Sequence, residues 1–266
     1  MIINCFDVSI DYLVIININI KMDMYTIPIE IFYWTLTYNV LIYLFRPIIN
    51  EKINRYFVLV IISLLNSIYL SIYTTYLMYC FELDYKNNEY NILYVQYPKF
   101  EDPIKSIMAY LIFDLVNMLM QKNTKDLDMI FHHVYNLLIC SICLYYNCAQ
   151  WIVMFCLFNE YSTIPLSLWR IFSILKKENI HYFDKLIIPT NILFVISFFA
   201  CRTFLLTYVI YLLYPIVATL PNEVNHLHVL IILFMCHYGL NIYWTVQIIL
   251  KILDVLINML IVNNVM

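Results

Sequence analysis

The chain is 266 residues long, 64% hydrophobic and 12% charged, with a formal net charge of −3 and a mean hydropathy of +0.78. A soluble domain of this length carries about twice that share of charge, and the mildly acidic balance offers no footprint for nucleic acid. A single glycine, Gly239, excludes the glycine-rich phosphate loops of nucleotide-binding folds.

A helix that crosses a bilayer needs about 20 mainly apolar residues. From the N-terminus, "VSIDYLVIININI" (8–20) is apolar but interrupted by Asp11, Asn17 and Asn19, and reads as a short interfacial segment. No stretch there has a basic region, an apolar core and a small-residue cleavage site in that order, so no removable signal peptide is expected. Seven segments then qualify as spans: Met24–Phe45, Tyr56–Phe81, Ile104–Gln121, Met129–Tyr146, Trp151–Leu175, Leu186–Tyr214 and Leu227–Leu253. Their length and continuity predict helices, because barrel strands would alternate over ~10 residues with turn residues between them. The expected class is therefore all-α, a polytopic bundle of about seven transmembrane helices. It divides into an N-terminal segment with the first span (1–50), a six-helix core (51–255) and a short tail (256–266).

Basic residues sort the connections into two sets. Arg46, Lys52, Arg55, Lys122, Lys125, Arg170, Lys176, Lys177, Lys185 and Lys251 fall on one side; Lys21, Lys86, Lys99 and Lys105 fall on the other. Positive charge collects on the cytoplasmic face, so the C-terminus is expected there and the N-terminus in a lumen or outside. The eight cysteines lie mostly inside apolar runs; "CSIC" (140–143) has C-x-x-C spacing but sits inside an expected span and reads as buried thiols.

Ionisable groups inside spans are costly and mark function by default. Here they are Glu30, Asp114, His132, His133, Glu160, Arg202 and His237. At about 1.5 Å per residue, Asp114 lies roughly 12 Å from the cytoplasmic edge, on the helix before the histidine pair. Glu160 and Arg202 fall at a common depth of roughly 20–25 Å, which suggests an ion pair. Adjacent helical residues point about 100° apart, so His132 and His133 cannot face one target together. Asp128 stands one turn before His132 and is a candidate to orient it. No H-E-x-x-H occurs and no metal is expected; "HLH" (226–228) reads as solvated loop. From spacing alone the pair reads equally as wet interfacial residues or as a proton-transfer or nucleophilic site.

Five motifs carry a family resemblance. "YLIFDLVNML" (110–119), "DLDMIFHHVYNLL" (126–138), "NEYSTIPLSLWRIF" (159–172), "FFACRTFLLTYVIYLL" (198–213) and "LNIYWTVQIILKIL" (240–253) follow one another in order. Together they resemble the TLC-domain family of multi-spanning membrane proteins, closer to its small members than to the ceramide synthases. The resemblance covers roughly 51–253. It implies a bundle around a lipid-accessible cavity, a place in the endoplasmic reticulum and a role in membrane lipid or ceramide composition. In ceramide synthases, paired histidines matching His132 and His133 are held to act in moving an acyl group from acyl-CoA to a sphingoid base. Where those enzymes continue with His-Asp-x-x-Asp, this chain reads Asn159, Glu160, Tyr161, Ser162, Thr163. The small members end the Glu-x-Ser-Thr motif with Arg-Trp; here the order is Trp169, Arg170.

The candidate site is therefore His132, His133 and Asp114 as catalytic groups, with Glu160, Ser162, Arg202 and Asn136 toward the lipid. No cofactor is called for. The partner is a membrane lipid, a sphingoid base or a phospholipid, joined by acyl-CoA if the site is enzymatic. Three readings stay open: a lipid acyltransferase, a non-enzymatic lipid-binding or lipid-regulating protein, and a transporter. The third is weakened by the scarcity of the glycine and proline that break transporter helices.

Overall fold

In hydrocarbon no water serves the backbone, so these apolar runs must close their hydrogen bonds internally, as helices. The computed structural model describes residues 25–85, 93–94, 96–120, 127–218 and 225–265. The stretch 8–20 lies outside the described residues. Helices run over Thr26–Phe45 (α1), Glu51–Tyr85 (α2), Glu101–Met120 (α3), Leu127–Tyr146 (α4), Gln150–Leu157 (α5) and Glu160–Lys177 (α6). Asp184–Phe198 (α7) and Leu205–Val217 (α8) come next, joined by a π-turn at Phe199–Phe204, and Asn225–Val265 (α9) ends the chain. Among the described residues there is no strand. Six helices are long and apolar enough to cross a membrane. The expected fifth span, Trp151–Leu175, is divided between α5 and α6, and neither is among those six.

Three contacts fix which connections share a face. The Asn50 N–H donates to Glu178 Oε2 at 3.1 Å, tying the α1–α2 turn to the end of α6. The Ala149 N–H donates to the Leu93 carbonyl at 2.8 Å, tying the α2–α3 and α4–α5 connections together at the other face. There too His226 stacks on Tyr146, with ring centroids 4.3 Å apart. This is the alternation that an odd number of crossings requires.

The helices close into a ring in the order α2, α6, α7–α8, α9, α4, α3 and back to α2. Helix α1 lies outside it against α2 and α3, through Trp34 on Tyr110 and Tyr38 on Phe113, each at 6.0 Å between ring centroids. Helix α5 fills the ring's half nearest the 147–149 connection and packs on α2, α3, α4 and α8. Gln150–Met154 and Leu157 are buried there, and Gln150 Oε1 accepts from the Tyr97 N–H at 3.1 Å. A second, smaller apolar cluster (Ile49, Phe57, Val60, Ile171, Ile174) joins α2 to α6 at the opposite end.

Two spans expected as continuous helices are interrupted. The run Trp151–Leu175 breaks at Phe158–Asn159, where Asn159, Tyr161 and Ser162 donate three residues back rather than four, at 3.0–3.1 Å. The tighter turn re-aims α6, and Pro165 one turn further has no N–H for the Tyr161 carbonyl. The run Leu186–Tyr214 carries the π-turn around Arg202. Such widened turns insert a residue into the helical repeat and rotate the residues beyond it, and they gather at functional sites. With glycine almost absent, asparagine takes its usual place after α6. Asn179 has φ 63° and the Ile180 N–H reaches back to the Leu175 carbonyl at 2.9 Å, a Schellman-type close.

Candidate functional site

The site begins with the two histidines on one turn of α4. His133 turns toward α3 and is buried. Its Nδ1 lies 2.8 Å from the Met129 carbonyl, which can only accept, so Nδ1 carries a hydrogen. Its Nε2 lies 2.9 Å from Asp114 Oδ2. That second contact needs another proton, on the ring or on the carboxyl. Whichever atom holds it, the pair carries two protons and no net charge, the cheapest state in a low-dielectric interior. His132 turns toward α9 instead. Its ring lies 5.8 Å from that of His237 and 5.4 Å from that of Trp244. Its Nδ1 is 3.0 Å from the Tyr135 hydroxyl. Asn136 donates to the His132 carbonyl at 2.7 Å, which leaves its amide 3.2–3.3 Å from the two ring nitrogens.

Arg202 is buried in the π-turn. Its Nε donates to Ser162 Oγ at 2.7 Å, one terminal nitrogen to Thr163 Oγ1 at 3.1 Å and the other to Asn241 Oδ1 at 3.4 Å. Ser162 Oγ passes its own hydrogen to the Asn159 carbonyl at 2.7 Å. The guanidinium also lies over the Phe198 and Trp244 rings, at 5.4 and 5.9 Å. Glu160 stands in the first turn of α6, where an acidic group suits the helix dipole, and accepts from Ser67 Oγ at 2.5 Å. The expected ion pair between Glu160 and Arg202 is not formed: among the described residues no carboxylate lies within 4.0 Å of Arg202. Equal depth placed the two groups at one height, but hydroxyls on α2 and α6 hold each apart from the other. Asp128 is exposed and makes no hydrogen bond to either histidine among the described residues; Asp114 takes the carboxylate role, on His133 alone.

These groups meet at a cavity of about 40 Å³ beyond the end of α5. His132, Asn136, Asn159, Glu160, Arg202 and His237 supply its polar wall. Ile107, Leu111, Val153 and Leu157 are among its apolar lining. His133 and Asp114 stand behind that wall, and Ser162 acts through Arg202. Asn159 and His237 were missed as site residues, although His237 counts among the in-span ionisable groups. Asn159 Nδ2 lies 2.9 Å from His237 Nε2. Their signal is a stripe at helical spacing on α9: His237, Asn241 and Thr245 are all buried, and the Asn241 and Thr245 side chains each reach the carbonyl of the one before at 2.8 Å. Polar residues four apart on one face of an apolar helix point at a shared interior.

No group of three or more His, Cys, Asp or Glu among the described residues is placed to hold a metal ion. In comparison with known families, the model described as the TLC domain matches residues 27–250. No curated protein matches the chain.

Proposed function

The chain belongs to the TLC-domain family of multi-pass membrane proteins tied to lipid metabolism, and from that premise we propose that it receives the polar end of a membrane lipid in the cavity at His132 and so influences membrane lipid composition. The observation that carries this reading is convergence. Of the few ionisable groups in its spans, His132, Glu160, Arg202 and His237 line one cavity. Polar groups held inside a bundle at such cost are kept for what they bind. At about 40 Å³ the cavity takes a few water molecules. A lipid end therefore enters by widening it, and the break before α6 and the π-turn at Arg202 are the places where the wall can yield.

Within that reading the two histidines divide the work. Both nitrogens of His133 are engaged, so it positions. His132 faces the cavity and, among the described residues, makes one short ring contact, to Tyr135. An acyl-transfer version follows from this. His132 takes the proton of a sphingoid amine, the nitrogen bonds to the acyl carbon, and the thiol of CoA leaves with that proton. Arg202, with no carboxylate within 4.0 Å among the described residues, suits the developing negative oxygen or a lipid phosphate. In the non-enzymatic version the same groups hold a headgroup without turnover. We place the protein in the endoplasmic reticulum, with the basic connections cytoplasmic.

The test combines two measurements on one preparation. Microsomes bearing wild type or His132→Ala are given labelled acyl-CoA and sphingoid base, and co-purified lipid is identified by mass spectrometry. Product that falls at least tenfold in His132→Ala supports transfer. A bound lipid lost in the variant, without turnover in either, supports binding. Equal product and equal lipid in both would remove His132 from the function.

A further inference from the structure

Two cysteines meet where α4 ends. The helix runs to Tyr146, Asn147 turns left-handed at φ 48°, and the Cys148 N–H donates to the Cys143 carbonyl at 3.2 Å. A left-handed residue followed by a backbone bond five positions back is a Schellman-type close. It brings the side chains of the two bonded residues together, a place that apolar pairs commonly fill. The close after α6 puts Leu175 and Ile180 there. After α4 both places hold cysteine, with Cys143 at 0% and Cys148 at 2% exposure. Both carry free thiols in the structure.

Reach and compartment decide what such a pair can do. The backbone bond ties the two main chains directly, which sets their Cα atoms at about the 4.4–6.8 Å that a disulfide spans. The 147–149 connection shares its face with the α2–α3 connection and the start of α9, through the Ala149–Leu93 bond and the His226–Tyr146 stack. On the orientation proposed above, that face meets a lumen or the outside, where disulfides form and persist.

We propose that Cys143 and Cys148 are joined as a disulfide in the mature protein, a staple across the entry to α5. The step is thiol–disulfide exchange. One new Sγ–Sγ bond forms, the two thiols give up two protons and two electrons, and a disulfide-bearing oxidant of that compartment is reduced to two thiols. Burial sets its time: the exchange belongs to folding, before α5 packs on α4, and the finished bond is then shielded from reduction. The proposal rests on the orientation read from the basic connections, but not on the lipid-handling reading.

The experiment reads each cysteine in the full-length protein. Membranes from expressing cells are denatured in a light alkylating reagent, reduced, and alkylated again with a heavy one before mass spectrometry. Cys143 and Cys148 should carry heavy label at least tenfold over light, and Cys140 and Cys156 light label. In Cys148→Ala, Cys143 should turn light; the wild-type result stands without that variant if it fails to fold. Light label on Cys143 and Cys148 would overturn the proposal, and so would heavy label on Cys140 and Cys143 with Cys148 light. A loop bearing an N-glycan acceptor, placed in the α8–α9 connection, reads the orientation separately. Free thiols with the glycan attached remove the staple alone; free thiols without it remove the orientation as well.

Discussion

Removing the carboxylate from Asp114 tests the proton count at His133. In Asp114→Asn the ring can stay neutral, with its Nδ1 hydrogen on the Met129 carbonyl and the new amide donating to Nε2. One hydrogen bond replaces another, and the expected cost is about 1 kcal/mol or less. Asp114→Leu leaves Nε2 buried without a partner and loses a charge-assisted bond, for about 2–3 kcal/mol. His133→Phe strips the carboxylate instead. Loss of one member of a buried pair costs about 3–5 kcal/mol; Asp114 keeps 19% of its side chain exposed, so the lower end applies. The double variant Asp114→Leu, His133→Phe should cost less than the two single changes added, by about 2 kcal/mol. Thermal unfolding in a mild detergent reads the series. At roughly 2–4 °C per kcal/mol for a chain of this size, Asp114→Leu should fall by roughly 5–10 °C and Asp114→Asn by a few degrees at most. Equal losses for Asp114→Asn and His133→Phe, or additivity in the double variant, would refute the shared two-proton arrangement.

Two further changes probe the frame around the cavity. Arg202→Lys keeps the charge but not the planar fork that reaches Ser162, Thr163 and Asn241, and should cost about 2–3 kcal/mol in unfolding; a neutral result would mean that charge alone matters there. Ala149 sits at φ 56° with its N–H on the Leu93 carbonyl, a left-handed conformation that costs a side-chain-bearing residue about 1 kcal/mol. Ala149→Gly keeps that bond and should raise the unfolding midpoint by a few degrees; a lower midpoint would show that the methyl group's packing outweighs the strain.

How much could be read beforehand depends on what each pattern encodes. Hydropathy located the six helices long and apolar enough to cross, because oil tolerates only long apolar helices and the chain has little else. Charge in the connections gave their alternation, which the Asn50–Glu178 and Ala149–Leu93 bonds bear out. The rotation between adjacent helical residues predicted that His132 and His133 part company, and they face α9 and α3. What rise per residue could not supply was azimuth. Glu160 and Arg202 stand at one height yet answer to different hydroxyls. The break at Phe158–Asn159 has no glycine or proline at it, and "WIVMFCLFNEY" (151–161) reads as uninterrupted helix. Asn159 was legible only as part of a motif, since a buried amide on a histidine 78 positions away leaves no local trace.

The ring with α5 lodged in one half has a directional consequence. Among the described residues no helix enters the other half, so the vessel has a stopper at one end and a polar floor partway down. With α5 packed into one half, a molecule bound for that floor would come from the side of the 46–50 and 178–183 turns or between two staves rather than past α5. On the proposed reading, sidedness of supply is built into the architecture: a lipid would be taken from one leaflet and returned to the same one.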